Sequence, residues 1–237
     1  MFSRLACAFS VCMLTSCGSV LYMSPMPSVP LLEEKGDVRV DAKLELPTTL
    51  LPFAIDADAG YAVSEHVGIT ASGQYVSNDF NYFQAGAGYH TRMKGKQILE
   101  SYVTAGKGLQ VNRPDNSGSG GQLADKEYTR FDYGQYCIQV NYGLANLTKA
   151  NIDLGLSLRG GLMAYRLYGT TDEIEKVNMR RNVPIAEPMA FFRIGSKPVK
   201  FQIEVAYSTF SKYVENNNVP RIINSPVSAT CGLSFNF

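Results

Sequence analysis

Chemistry in this chain would have to come from two histidines, five cysteines and a scatter of carboxylates. His66 follows Ser64 and Glu65 in what reads as a tight turn, and His90 closes an alternating stretch. Neither has a sequence-visible Ser or Asp from which a nucleophile, base and orienting group could be assembled. No His or Cys spacing suits a metal centre. The glycine pairs at Gly86 and Gly88 and at Gly106 and Gly108 are not followed by a helix, as a phosphate-binding loop would require. Asp56 and Asp58 share one face of a strand, as a catalytic carboxylate pair might, but a structural ion pair is the plainer reading. Arg180-Arg181 could meet phosphate groups, with solvated loop charge as the simple alternative. The residues therefore predict no enzyme and no cofactor.

The elements that would carry these residues are strands. Val227 to Phe237 sets the pattern. Val227, Ala229, Cys231, Leu233, Phe235 and Phe237 alternate with Ser228, Thr230, Gly232, Ser234 and Asn236. Alternate side chains of a strand point to opposite faces, so this ribbon has one apolar and one polar face. The same period recurs at 38–46, 56–63, 67–75, 83–90, 97–109, 128–144, 152–159, 185–194 and 199–207. Gly134 and Pro188 interrupt it; the first predicts a bulge, the second a bulge or broken pairing. Loops are expected at 112–126, 170–183 and 211–224. No apolar run is long enough for a transmembrane helix, while mean hydropathy is −0.09 and only 18% of residues are charged. A net charge of +1 gives no reason to propose nucleic acid as a partner.

Alternation alone does not say which face meets the interior. Bulky apolar residues on nearly every strand, with glycines opposite (Gly60, Gly86, Gly88, Gly106, Gly155), suit an outward apolar face and a crowded polar lumen. Connections that alternate short and longer are a membrane-barrel habit. The reading is an all-β, antiparallel, up-and-down transmembrane β-barrel of about ten strands, with eight as the alternative count. A soluble, lipocalin-like barrel with its apolar face inward is the competing fold. In the membrane reading Arg39, Lys43, Arg159, Arg193 and Lys200 point inward, as do Asp41, Glu45, Asp56, Asp58, Glu100, Asp153, Glu187 and Glu204. Such a lumen network would plug the barrel.

The last strand, ending Leu233, Phe235 and Phe237, resembles the closing strand of bacterial outer-membrane β-barrels. That resemblance implies that these residues act as an assembly signal for the barrel-assembly machinery. The N-terminus fits the same compartment. Residues 1–16 read as a signal peptide, with Arg4 ahead of the apolar run Leu5 to Leu14. Leu14-Thr15-Ser16-Cys17 resembles the lipobox of bacterial lipoproteins, which implies cleavage before Cys17 and acylation of its thiol and new amino group. An ordinary signal peptide cut after Ser16 is the alternative. Cys7 and Cys12 leave with the signal, and Cys137 and Cys231 fall on strands too far apart for a disulfide. Residues 17–36, with Pro25, Pro27 and Pro30, predict an extended, unpaired tether ahead of a barrel domain at 37–237. Tyr22, Pro25, Pro30-Leu31-Leu32 and Glu34-Lys35-Gly36 resemble the opening of small outer-membrane lipoproteins of Bacteroidota. Gly18-Ser19-Val20 lacks the acidic residues that often mark surface export in those bacteria, which implies an anchor in the periplasmic leaflet.

The functional expectation is a non-enzymatic outer-membrane barrel lipoprotein with a structural or interaction role through its loops. Its partners would be outer-membrane lipid and lipopolysaccharide, the latter through Arg180-Arg181 in a surface loop. A small-solute channel and an envelope-lipid-modifying enzyme are the alternatives. In enzymes of that kind the acid/base residues lie at or above the outer rim, whereas both histidines are expected at the periplasmic end. If Cys17 is acylated, the mature chain should exceed the mass of residues 17–237 by that of its acyl groups, and Cys17→Ser should abolish the excess. Intact-mass analysis of the membrane fraction decides it: equal excess in both forms would overturn the assignment.

Overall fold

A computed structural model describes residues 20–22, 25–45, 54–76, 80–112, 128–171, 174–209, 223–224 and 227–237. Every regular element among them is a strand: β1 (Val20–Tyr22), β2 (Val38–Glu45), β3 (Ala54–Ala62), β4 (Val67–Val76), β5 (Phe80–Arg92) and β6 (Gln97–Asn112), then β7 (Tyr128–Leu144), β8 (Asp153–Thr171), β9 (Ile174–Ile194), β10 (Val199–Tyr207), β11 (Ile223–Asn224) and β12 (Val227–Asn236). Ten of them, β2 to β10 and β12, form a closed barrel. Sequence neighbours pair antiparallel around the wall, and β12 closes it against β2 and β10. At the closing seam Val38 and Phe237 exchange backbone hydrogen bonds of 3.2 and 3.0 Å, which ties the last residue to the start of the first barrel strand.

The period-two pattern decides the facing. Ser228, Thr230, Ser234 and Asn236 are buried, while Val227, Leu233 and Phe237 are exposed. The same holds around the wall. Val103, Ile138, Leu156 and Leu158 point outward, with Tyr61, Tyr89, Tyr142, Phe192 and Phe237 towards the short-turn end. An apolar outer band edged by aromatic rings is the membrane-barrel arrangement. It is the inverse of a lipocalin-like barrel, whose apolar side chains would face inward.

Three local expectations fail for identifiable reasons. No bulge occurs at Gly134, because β7 pairs continuously with β6 and β8. The pattern seemed to slip there because the lumen changes chemistry: below Gly134 the inward residues are Gln135, Gln139 and Asn141, and above it they are Tyr133 and Phe131. Pro188 also stays in register, opposite Leu158. It lies one residue past the last pair between β9 and β10, Met189 with Ala206, where that side of the ladder has already ended. The charged segment 170–183 is mostly not a loop. It belongs to a tall hairpin of β8 and β9, 19 and 21 residues long, so Arg180 and Arg181 sit on a strand opposite Arg166 and Tyr165.

The largest departure concerns the segment ahead of the barrel. Residues 25–32 join no strand ladder, yet all eight are buried. They do not run outside the wall as a tether: they lie inside it. Met26, Val29 and Leu31 pack with the inward-facing Ile98, Met189, Phe191 and Ala206. Further along, β1 pairs in parallel with β11, a short strand within the connection from β10 to β12.

The outer band predicts the cost of a charge on it. Leu233→Arg places a guanidinium at hydrocarbon depth, about 2–4 kcal/mol near the midplane, and deleting Phe237 removes the two hydrogen bonds that fix the seam. Both should lower the fraction of heat-modifiable, membrane-inserted protein. Normal migration and yield in both variants would contradict the placement.

Candidate functional site

The lumen is where polar chemistry gathers. Apart from His90, the buried acidic and basic side chains among the described residues are Arg39, Asp41, Lys43, Glu45, Asp56, Asp58, Glu100, Asp153, Arg159, Glu187, Arg193, Lys200 and Glu204. Strand parity puts all thirteen on the inward face, because each lies on the same side of its strand as buried polar neighbours. A charge moved out of water costs several kcal/mol unless it is paired and hydrogen-bonded, so their mutual geometry matters.

They form linked pairs. Lys43, on β2, bridges Asp58 at 2.5 Å and Glu204 at 2.8 Å. Arg193 reaches Asp41 at 3.2 Å and Glu204 at 3.7 Å, and its Nε donates to Gln202 at 2.9 Å. Lys200 donates to Asp153 at 2.6 Å, and Arg39 lies 3.9 Å from the same carboxylate. Arg159 pairs with Glu187 at 2.5 Å and donates to Gln84 at 3.1 Å. Glu45 accepts from Gln74 at 3.1 Å, and Asp56 lies between Lys43 and Gln74 in the strand register. Glu100 accepts from Asn141 at 2.9 Å and from the Tyr102 hydroxyl at 3.2 Å.

Several of these groups also hold the buried segment by its backbone. Arg159 donates to the Pro25 carbonyl at 2.5 Å and Arg193 to the Val29 carbonyl at 2.8 Å. Gln139 donates to the Ser28 carbonyl at 2.5 Å, while the Leu32 N–H donates to Glu100 at 2.8 Å. Prolines 25, 27 and 30 remove three donors from the segment, which leaves a strand of chiefly acceptors. Arginine and glutamine donors around it match that imbalance. Glycines make the room: a Cβ at Gly60 would lie 2.4 Å from the Pro30 Cβ, one at Gly68 would lie 2.7 Å from Leu32, and one at Gly143 would lie 2.5 Å from Leu31.

The other sequence candidates fall elsewhere. His90 is fully buried at the short-turn end, its Nε2 3.1 Å from the Ser64 carbonyl, and His66 stacks on Tyr89 with ring centroids 5.3 Å apart. The two histidines flank one turn, and no serine nucleophile or carboxylate pairs with them in the contacts described. Among the described residues no cluster of His, Cys, Asp or Glu could hold a metal. Cys137 and Cys231 are free, the first buried and the second half-buried on the outer wall. Leu233 and Phe237 are exposed on the outer face, with Phe235 half-buried between them. Cys17 and the cleavage region lie outside the described residues, as do most of 113–127 and 210–222. Sequence reasoning missed the neutral members of the network, Gln84, Gln135, Gln139, Asn141 and Ser157, although they share the parity of the charges. It also missed the buried segment, whose Met26, Val29, Leu31 and Leu32 were an available signal.

No protein-family model matches the sequence, and no curated protein matches it. Solved structures do. The outer membrane protease OmpT from Escherichia coli superposes with a TM-score of 0.54 at 9% identity, over 86% of this chain and 94% of that one. The KdgM porin gives 0.38 at 9% identity over 84% and 99%. The N-terminal β-barrel domain of Pseudomonas aeruginosa OprF gives 0.32 at 12% identity over 86% and 99%. At 9% identity the likeness to OmpT is one of fold alone: the chain is a closed ten-strand antiparallel barrel of the outer-membrane type.

The network predicts a sharp contrast between two arginines. Arg193→Met strands Asp41 and the Val29 carbonyl in the lumen and leaves Glu204 to Lys43 alone, and breaking a buried pair in this way costs about 3–5 kcal/mol. Arg92→Met breaks the pair with Glu33, in which Arg92 is 52% exposed, and should cost under about 1 kcal/mol. Urea unfolding in lipid vesicles measures both. Equal effects would contradict the lumen assignment.

Proposed function

We propose that this protein is a non-enzymatic outer-membrane β-barrel lipoprotein whose lumen is closed and whose loop end carries its structural or interaction role. The observation that carries the reading is the filled interior, where residues 25–32 lie among thirteen buried acidic and basic side chains, most of them in ion pairs. Most of these charges are engaged with one another or with backbone carbonyls, and the lodged segment takes up the space through which a hydrated solute would pass. Above that layer, Phe131, Tyr133, Tyr82 and Tyr165 pack ring to ring along the inner wall from β5 to β8, with neighbouring centroids 5.3–5.7 Å apart. That upper tier adds an apolar obstruction.

The partners this reading assigns are outer-membrane lipid along the apolar band and lipopolysaccharide at the outer rim. Arg166 and Arg180 face each other across the β8–β9 ladder, and Arg130 pairs with Asp132, two positions along β7 and opposite Arg166. Guanidinium groups on an outer wall suit phosphate contacts. Cys17 bears the lipid, and the final strand is read by the barrel-assembly machinery. Catalysis has no support in the placement of the histidines, both of which lie at the end with the short turns.

Conductance tests the closed lumen. The full chain in planar bilayers should give no stable single-channel openings. Gly60→Leu, whose side chain cannot coexist with Pro30 where it lies, should dislodge the segment and produce openings. Steady ohmic openings of the unaltered chain would instead favour a small-solute channel.

A further inference from the structure

We infer that the N-terminal segment crosses the barrel from one end to the other, so that the chain ahead of Val20 lies on the opposite side of the membrane from the short turns and Phe237. The contacts climb, with one exception: the Val29 carbonyl accepts from Arg193, one residue from the short-turn end of β9. The Gly36 N–H donates to the Ala62 carbonyl at 2.9 Å, at the end where β3 turns into β4. The Leu32 N–H donates to Glu100, three residues into β6 from that end, and a Cβ at Gly68 would touch the Leu32 side chain. The Ser28 carbonyl accepts from Gln139, five residues up β7 from Leu144. The Pro25 carbonyl accepts from Arg159, six residues up β8 from Asp153. Beyond it, Tyr22 and Val20 pair with Asn224 and Ile223. That β11 strand lies between Tyr207 and Val227, the two residues at which β10 and β12 leave the wall at its far end.

Length permits the crossing. The fourteen steps of chain from Tyr22 to Gly36 can reach roughly 45–50 Å when extended, against a hydrocarbon band about 25–30 Å tall. Chemistry favours it as well. A backbone in a membrane-spanning position must have its polar groups satisfied within protein, and this one meets arginine and glutamine donors, a carboxylate acceptor and then a strand partner. The inference rests on the membrane-barrel reading and adds the sidedness of the N-terminus. It reverses the leaflet expected for an acyl group at Cys17. Three residues ahead of Val20, such a group would anchor in the leaflet beside the long connections rather than the one beside Phe237.

Two single-cysteine forms test it in the full-length chain, with Cys137→Ser and Cys231→Ser removing the other barrel thiols. One carries Val20→Cys, and the other carries Glu65→Cys in the exposed turn between β3 and β4. A membrane-impermeant maleimide is applied to intact cells and to cells with opened outer membranes, and heat-modifiable migration verifies each barrel. The parent without either added thiol gives the background from Cys17. Crossing predicts that Val20→Cys is labelled on intact cells, whereas Glu65→Cys is labelled only after permeabilisation. The reverse polarity would uphold the crossing and overturn the assignment of the short turns to the periplasm. Labelling of both sites from the same side would overturn the crossing itself. An epitope inserted between Ser19 and Val20, probed by antibody on intact cells, gives a second readout: detection supports the crossing, and detection only after permeabilisation, with Glu65→Cys likewise protected, overturns it. Conductance is a separate measurement, so a leaky lumen and a wrongly placed N-terminus would be told apart.

Discussion

Charge removed from water must find charge or a hydrogen bond, and the rest of this barrel depends on meeting that demand. An outward apolar face obliges every polar side chain of ten strands to turn inward, into a cross-section only modestly wider than one filled by side chains alone. Acids outnumber bases among the inward groups, and the bases are correspondingly shared: Lys43 serves two carboxylates, Arg193 serves two, and Asp153 accepts from Lys200 with Arg39 nearby. Glutamine and asparagine serve part of the remainder. Gln139 and Asn141 couple the Glu100 carboxylate to the Ser28 carbonyl and to Ser157.

The lodged segment belongs to this same accounting. Side chains on the wall leave a central space that packed protein cannot keep empty and polar at once. Residues 25–32 occupy it with a chain that presents carbonyls to the donors and Met26, Val29 and Leu31 to Ile98, Met189 and Phe191. Gly60, Gly68 and Gly143 set the approach distance, since any side chain at these positions would enter the volume of Pro30, Leu32 or Leu31. Among the polar-face glycines, which as sequence only suggest crowding, Gly60 marks the track of this segment, whereas Gly86, Gly88, Gly106 and Gly155 make room for neighbouring residues of the wall.

Much of the architecture was legible because a barrel wall repeats one simple rule. Period two identified the strands and sorted residues such as Asp41 and Leu44 to opposite faces, and the terminal Phe-Asn-Phe located the seam. What escaped was whatever broke the assumption of a uniformly polar lumen. Phe131 and Tyr133 looked like a change of phase because apolar residues had been assigned outward throughout, whereas the upper lumen is aromatic. The tall β8–β9 hairpin was hidden by charges that suggested a loop, although Arg166 and Arg180 sit comfortably on a strand in contact with water. Pro25, Pro27 and Pro30 spoke truthfully about the absence of a ladder but said nothing of location. Long-range packing placed that segment, and local propensity carries no record of it.

A strand lodged inside a closed cylinder also constrains the order of assembly. Residues 25–32 precede β2 in the chain, and their partners Glu100, Gln139, Arg159 and Arg193 lie on β6 to β9. These contacts span 68 to 164 positions of sequence, so they form only after most of the wall exists. Once β12 has joined β2, the sole entrances are the two open ends, and a late arrival would have to reptate through a lumen already lined with engaged charges. Zipping the final seam around a segment that already lies against the curved, unclosed sheet avoids that passage. The β12–β2 ladder is in this sense a clasp, and the moment it shuts fixes what is inside.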